Sequence, residues 1–328
     1  MTVLVTGGAG YIGSHMVLEL LDTGEDVVVL DNLSTGFAWA VDRRATLIVG
    51  DMGDQRLVET VMRRHGIDAV IHFAARIVVP DSVADPLGYY LSNTVKTRAV
   101  MAAAVASGVR HFIFSSTAAV YGTPEVMPVA EDAPTRPESP YGTSKLITEW
   151  MLRDAAAAHD LGYVVLRYFN VAGADPRGRA GQSTPNATHL IKVAVQTALG
   201  LRQKMDVFGT DYPTPDGTCV RDYIHVTDLV RAHLAALAHL RAGGESMVAN
   251  CGYGRGYSVQ QVIDTVRKVT KVDFRADYAP RRPGDAAAVV ADPTRIKARL
   301  GWTPSLDDLE GIVDSAYAWE RRLANGPG

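Results

Sequence analysis

The sequence predicts a doubly wound parallel α/β sheet followed by a smaller C-terminal α/β substrate domain. Three observations carry this. Short apolar runs rich in β-branched residues alternate with helical patterns through the first half of the chain. A glycine-rich stretch, TGGAGYIG at residues 6–13, separates the first such run from the first helical pattern. After about residue 172 the alternation gives way to GADPRGRAGQSTPNA at 173–187, rich in Gly, Pro and small polar residues.

Strand candidates are 2–6, 27–31, 46–49, 69–73, 111–115 and 163–168, each short and flanked by polar or Gly residues. Helical patterns fill 12–23, 54–65, 93–107 and 143–159. Strands alternating with helices imply parallel pairing through right-handed crossovers, hence the doubly wound sheet. Helical patterns return at 188–200, 227–242, 258–269 and 306–323. The domain change is placed near 172, giving 1–172 and 173–328, with 218–250 a candidate to rejoin the first domain.

A chain of 328 residues with 47% hydrophobic content supports a large core and about two domains. Net charge is −3 and the pI about 6.3, so no basic field argues for nucleic acid. Cys219 and Cys251 are too far apart for a CxxC pair and read as small apolar side chains in a reducing cytoplasm. The N-terminus lacks a basic region and reaches its glycines too early for a signal peptide. No apolar run approaches the roughly 18 residues of a membrane span. The histidines form no ligand-spaced cluster, so no metal is expected.

Gly7, Gly10 and Gly13 lie where ligands bind in such sheets, at the carboxyl end of a strand. A helix N-terminus there offers free N–H groups and a positive dipole end to a pyrophosphate. Glycine permits close approach of phosphate to backbone. A glycine-rich turn alone is weak evidence, but this one has a strand before it, a helix after it and an acid downstream. That acid, Asp31, follows Gly13 by 18 residues, close to the spacing of about 20 expected for a ribose-binding carboxylate. A carboxylate there repels a 2′-phosphate, which favours NAD over NADP.

Tyr141 and Lys145, four residues apart, occupy one helical face if their segment is helical. A phenol with pKa near 10 is a poor base at neutral pH. A neighbouring ammonium, with the positive charge of oxidised NAD, is expected to bring it into working range. The strand ending Phe114-Ser115-Ser116-Thr117 delivers a hydroxyl toward the same crevice.

These motifs, with FSSTAAVYG (114–122), SPYGTSK (139–145), RYFNVAGADP (167–176), GTDYPTPDGT and VRDYIHVTD (209–228) and APRRPGD (279–285), resemble the UDP-glucose 4-epimerase family of extended short-chain dehydrogenase/reductases, from residue 2 to about 320. The resemblance implies a Rossmann-type NAD domain, a UDP-sugar substrate and a homodimer built on helices 93–107 and 143–159. It implies that Tyr141 takes the proton of the sugar 4-hydroxyl while C4 gives hydride to tightly held NAD. The 4-keto sugar then turns over, and hydride and proton return. Thr117 would bond the 4-oxygen, and Lys145 the nicotinamide ribose.

The same match places Tyr11 and Ile12 by the pyrophosphate, with Asn32, Thr35 and Gly36 flanking Asp31. Asp51 and Met52 would lie by adenine. Phe73, Ala74 and Ala75 would pass under the cofactor, with Asn93 nearby and Phe169 close to nicotinamide. Asn170, Leu190, Phe208, Arg221, Arg282 and Asp285 would bind the sugar nucleotide. The arginines suit a diphosphate through forked, charge-assisted hydrogen bonds. Arg281 reads as solvated.

Ile77 stands where many members carry lysine, and His189 where some carry asparagine; neither is given a catalytic role. Val289 stands at the sugar-pocket wall. Its modest volume suggests acceptance of UDP-N-acetylhexosamines beside UDP-hexoses, and UDP-pentoses would use the same chemistry. Thr117-Ala118-Ala119 lacks the acid that related dehydratases carry. A sterol-type reductase would not need Arg221, Arg282 and Asp285. A non-catalytic nucleotide-binding regulator would be expected to have lost Tyr141 or Lys145.

Overall fold

The computed structural model describes residues 1–185, 187–282 and 285–326. Seven strands form one parallel sheet: β1 (Thr2–Thr6), β2 (Asp26–Asp31), β3 (Thr46–Val49), β4 (Ile67–His72), β5 (His111–Thr117), β6 (Gly162–Tyr168) and β10 (Met247–Cys251), in the order β10-β6-β5-β4-β1-β2-β3. The central strands Val3-Leu4-Val5, Ala69-Val70-Ile71 and Phe112-Ile113-Phe114 are buried on both faces. That is why they read as continuous apolar runs and not as alternation.

Helices cover both faces. One layer holds α1 (Tyr11–Asp22) and α8 (Val226–Arg241), packed against a core that includes Val5, Met16, Ile113, Leu229 and Leu237. The other holds α2 (Gln55–His65), α5 (Lys96–Ala106) and α6 (Pro140–Ala158) over Leu4, Val70, Val100, Phe112 and Leu152. Helix α5 is the end of a longer run, after α3 (Val79–Ala84), α4 (Pro86–Tyr89) and a π-helical turn at Tyr90–Val95. Asp85 caps α4 by accepting from Gly88 N at 3.0 Å, and Pro86 takes the first helical position, where its missing N–H costs nothing. This run therefore starts earlier than the 93–107 expected. Likewise α6 starts at Pro140, with Ser139 Oγ accepting from Gly142 N at 3.2 Å, so Tyr141 and Lys145 both lie in the helix.

The remaining elements form a second layer beyond the sheet's carboxyl edge. Strand β7 (Asn170–Ala172) pairs with β9 (Val220–His225), which also pairs with β11 (Gly256–Ser258) and β13 (Ala288–Val289); β8 (Met205–Phe208) pairs with β12 (Ala276–Ala279). Helices α7 (Leu190–Ala198), α9 (Val259–Thr270) and α11 (Leu309–Ala324) enclose a core of Val195, Val207, Tyr223, Ile263, Phe274 and Ile312. Helix α10 (Thr294–Leu300) packs back on α8 and β10. No helix among the described residues is long and apolar enough to cross a membrane.

Candidate active site

The strand order reverses between β1 and β4, the switch point at which doubly wound sheets bind ligands in the crevice beyond their strand ends. The β1–α1 loop forms one wall. Gly7 takes φ +72°, and a Cβ on it would sit 2.7 Å from Ala74 N in the opposite loop. A Cβ on Gly13 would meet Gly7 O at 2.1 Å. Neither position tolerates a side chain, so α1 starts close against the turn. Gly10, the N-cap, has no side chain to cap the helix, which leaves the first-turn N–H groups of Tyr11, Ile12 and Gly13 for a ligand. Ile12 packs on the core, and Tyr11 donates its hydroxyl to Gly173 O at 2.6 Å, tying this loop to the second layer.

Asp31 closes β2 and accepts from Ala9 N at 3.0 Å and Leu33 N at 2.8 Å, so the carboxylate braces the glycine loop and retains lone pairs for a ribose. Asn32 Oδ1 accepts from Ser34 N at 3.1 Å; Asn32 and Thr35 are exposed, while Gly36 lies against Ala9. The cradle, the open helix end and the carboxylate fit an adenine dinucleotide. Asp51 pairs with Lys96 and accepts from Gly53 N at 2.7 Å; Met52 packs beneath on the core. Phe73 packs 4.8 Å from His233, and Ala74 and Ala75 follow half-buried along the opposite wall.

Asn93 is anchored within the protein. It sits in the π-helical turn, and its amide is spent inside the protein: Oδ1 accepts from Arg76 N at 2.8 Å, and Nδ2 donates to Arg76 O at 2.9 Å and Ser144 Oγ at 3.1 Å. It thereby pins the 73–78 loop to α6. Ile77 points outward and is exposed.

Helix α6 brings the reactive groups in. Tyr141, Lys145, Thr148, Glu149 and Leu152 form its buried stripe, at helical spacing. The Thr117 hydroxyl lies on the side of the Tyr141 phenol and favours its ionised form. Ala119 N donates to Thr117 Oγ1 at 3.1 Å, leaving the threonine proton free to point at the phenolic oxygen. Lys145 lies one turn beyond Tyr141 on the same buried face. Its Nζ donates to Ser115 O at 2.9 Å and lies 4.9 Å over the Phe114 ring. Burial pushes the Tyr141 phenol up to about 12, with the Thr117 hydroxyl opposing it. Burial also pulls the Lys145 ammonium down to about 7, with Glu149 opposing. Acidification of the phenol thus waits on a further positive charge in the crevice, and oxidised nicotinamide carries one.

Four predicted substrate groups meet on the other side. Arg282 Nε donates to Asp285 at 2.9 Å and its guanidinium stacks 4.6 Å over Phe208. Arg221 approaches the same Asp285 at 4.0 Å. Arg281 turns away to Asp211 and the Tyr212 ring. Val289 pairs in register with Arg221 and packs on the cluster holding Phe169, Tyr121 and Leu146, with Ala118 beside it. Asn170 and Leu190 line a small pocket behind β7 with Gly173, Tyr223 and Trp319; His189 Nδ1 contacts Gln182 Nε2 there at 2.8 Å.

Sequence reasoning missed Glu149 and Arg167, whose buried pair underlies this site. The signal was present: Glu149 follows Lys145 by four residues on one helical face.

The NAD dependent epimerase/dehydratase family model matches residues 3–252. The chain belongs to this family. A UDP-glucose 4-epimerase of Azospirillum brasilense is 56% identical over 326 residues, covering 99% of this chain and 94% of that protein. The crystal structure of a UDP-glucose 4-epimerase from Brucella ovis in complex with NAD is 43% identical, covers 97% of both chains and has a TM-score of 0.94. A UDP-Glc/GlcNAc 4-epimerase from Campylobacter jejuni is 46% identical, covers 98% of this chain and 99% of that one, and has a TM-score of 0.86. This member of the family is an NAD-dependent epimerase on a Rossmann fold.

Proposed function

We propose that this epimerase interconverts UDP-galactose and UDP-glucose, with Tyr141 moving the proton and NAD held throughout the cycle. The observation that carries the reading is a buried phenol on α6, one turn before Lys145 and favoured as phenolate by Thr117, in a chain that also gathers an arginine pair on Asp285. NAD, when bound, supplies the acceptor and donor of hydride at the sugar C4.

The chain's own residues do the rest. Gly7, Gly10 and Gly13 with the α1 N-terminus hold the pyrophosphate, and Asp31 the adenosine ribose, flanked by Asn32, Thr35 and Gly36. Asp51 and Met52 border the adenine, Phe73, Ala74 and Ala75 the path of the cofactor, and Phe169 the nicotinamide side. Tyr141 accepts the 4-hydroxyl proton and later returns it, while Thr117 orients the 4-oxygen. Lys145 holds the nicotinamide ribose. The ketone must present both faces, so the substrate needs a hold away from the reacting ring. Arg221 and Arg282, oriented by Asp285 and Phe208, supply it at the diphosphate; Asn170 and Leu190 border the nucleotide. Residues 1–172, with 218–250 contributing α8 and β10, act as the cofactor lobe and 173–328 as the substrate lobe.

Incubating the purified protein with UDP-galactose and no added NAD tests the reading. Formation of UDP-glucose at steady rate supports it; an inert protein, with or without NAD, contradicts it. A second substrate class is favoured by Val289, a half-buried valine on the wall beside Phe169. UDP-N-acetylglucosamine at millimolar concentration is then turned over, and absence of turnover while UDP-galactose reacts refutes this second reading. We also infer a homodimer through the exposed apolar stripe Leu87, Leu91 and Val95 with Trp150 of neighbouring α6.

A further inference from the structure

Beneath Tyr141 and Lys145 runs a buried polar chain that the reaction so far leaves unused. Glu149 lies one turn beyond Lys145 and is 5% exposed. Arg167 on β6 donates Nε to both carboxylate oxygens at 3.0 and 3.2 Å, and Nη2 to Oε2 at 2.6 Å. Ser116, the residue before Thr117, donates its hydroxyl to the same carboxylate. Arg167 Nη1 continues to Tyr121 OH at 3.0 Å, and Tyr121 to Asn250 Oδ1 at 2.6 Å. A buried ion pair adds little stability over an apolar pair of similar volume, so stability alone is a poor reason for it. Its placement offers a better one, because a single carboxylate touches both elements that carry the chemistry.

We propose that Glu149 is a positioning residue for the epimerisation: it keeps the buried Lys145, one turn away on α6, as an ammonium, and it fixes the end of β5 against α6 so that Thr117 and Tyr141 meet the sugar oxygen together. The inference rests on the 4-epimerase reading and deepens it. The ionisable groups that face Lys145 and Glu149 are His72 on β4 and Arg167 and Tyr163 on β6, with Tyr141 on the same helix; Glu131 meets the far side of Arg167 through its backbone carbonyl. Glu149 is the carboxylate in this set. Without it Lys145 keeps only a carbonyl and an aromatic face, at 2.9 and 4.9 Å, against the full cost of burial.

The test compares kcat and KM against pH for UDP-galactose conversion by the NAD-loaded wild type, E149Q, E149D and the double variant E149Q/R167M, alongside melting temperature and NAD content. E149Q strands a buried guanidinium and is expected to be unstable. The double variant removes both charges and is expected to fold with NAD bound. If Glu149 positions Lys145, the folded double variant still loses kcat by about tenfold at neutral pH, and the basic limb of its profile moves about one unit toward acid, with KM little changed. E149D keeps a partner for Arg167 while withdrawing the carboxylate, and gives a smaller shift of the same sign at near wild-type melting temperature. A wild-type profile in the folded double variant, or in E149D should the double variant not fold, overturns the proposal and leaves Glu149 as no more than a partner for Arg167. An inert wild type instead refutes the 4-epimerase reading itself.

Discussion

Tyr141 shows how far a residue's chemistry depends on what covers it. Spacing alone placed it with Lys145 on one helical face, and the structure has them there. The direction of its acidity was not legible, because a sequence does not reveal that Lys145 turns to the Ser115 carbonyl and that burial dominates both groups. Among the protein groups around it, the influence favouring the phenolate is Thr117. Thr117→Val keeps shape and removes the hydroxyl that favours the phenolate. Its kcat is expected to fall by about tenfold, and its acid limb to move to higher pH, since the phenol becomes harder to ionise. A stopped assay from pH 5.5 to 9 checks this; an unchanged acid limb would mean that Thr117 does not act on the phenol.

Elements were legible where an unbroken apolar run marks them. β1, β4 and β5 read as apolar runs because both faces are covered, and the glycine loop betrayed itself by residues that no side chain could replace. The strands of the second layer, β7 to β9 and β11 to β13, escaped notice. Most are only two to five residues long, and they pair with partners far away in sequence. β10 joins the large sheet beside β6 and α8 packs on that sheet, although MVANC carries little strand signal of its own. The run from α4 into α5 leaves Leu87, Leu91 and Val95 exposed at four-residue spacing. If that stripe is the contact with a second copy, Leu91→Glu yields a protein half the mass by light scattering, with its far-UV circular dichroism intact. A dimer of undiminished affinity would remove this face from consideration.

At the scale of the whole molecule, the histidines tie stability to pH. His15, His225 and His233 are pulled down to about 4 and His72 to about 3, each chiefly by burial. The unfolded chain takes up these protons near pH 6.5, and the folded protein does not until several tenfold steps lower. Stability is therefore complete above about pH 6.5 and declines as pH falls toward 4, each histidine adding to the loss in the same direction. Urea unfolding at pH 7.5, 6.0 and 5.0 is expected to show midpoints dropping steeply with acid; a flat series would mean that these rings are protonated in place. Nothing in the histidine spacing foretold this, since burial is a property of the assembled layers.

The central claim is that one phenol carries the proton while the dinucleotide never leaves. Turnover of UDP-galactose by Tyr141→Phe, measured beside wild type at equal bound NAD and with none added, tests it most directly. The account predicts normal folding and NAD content with kcat lowered by about a thousandfold or more. A phenylalanine variant that converts the sugar at the wild-type rate would contradict it.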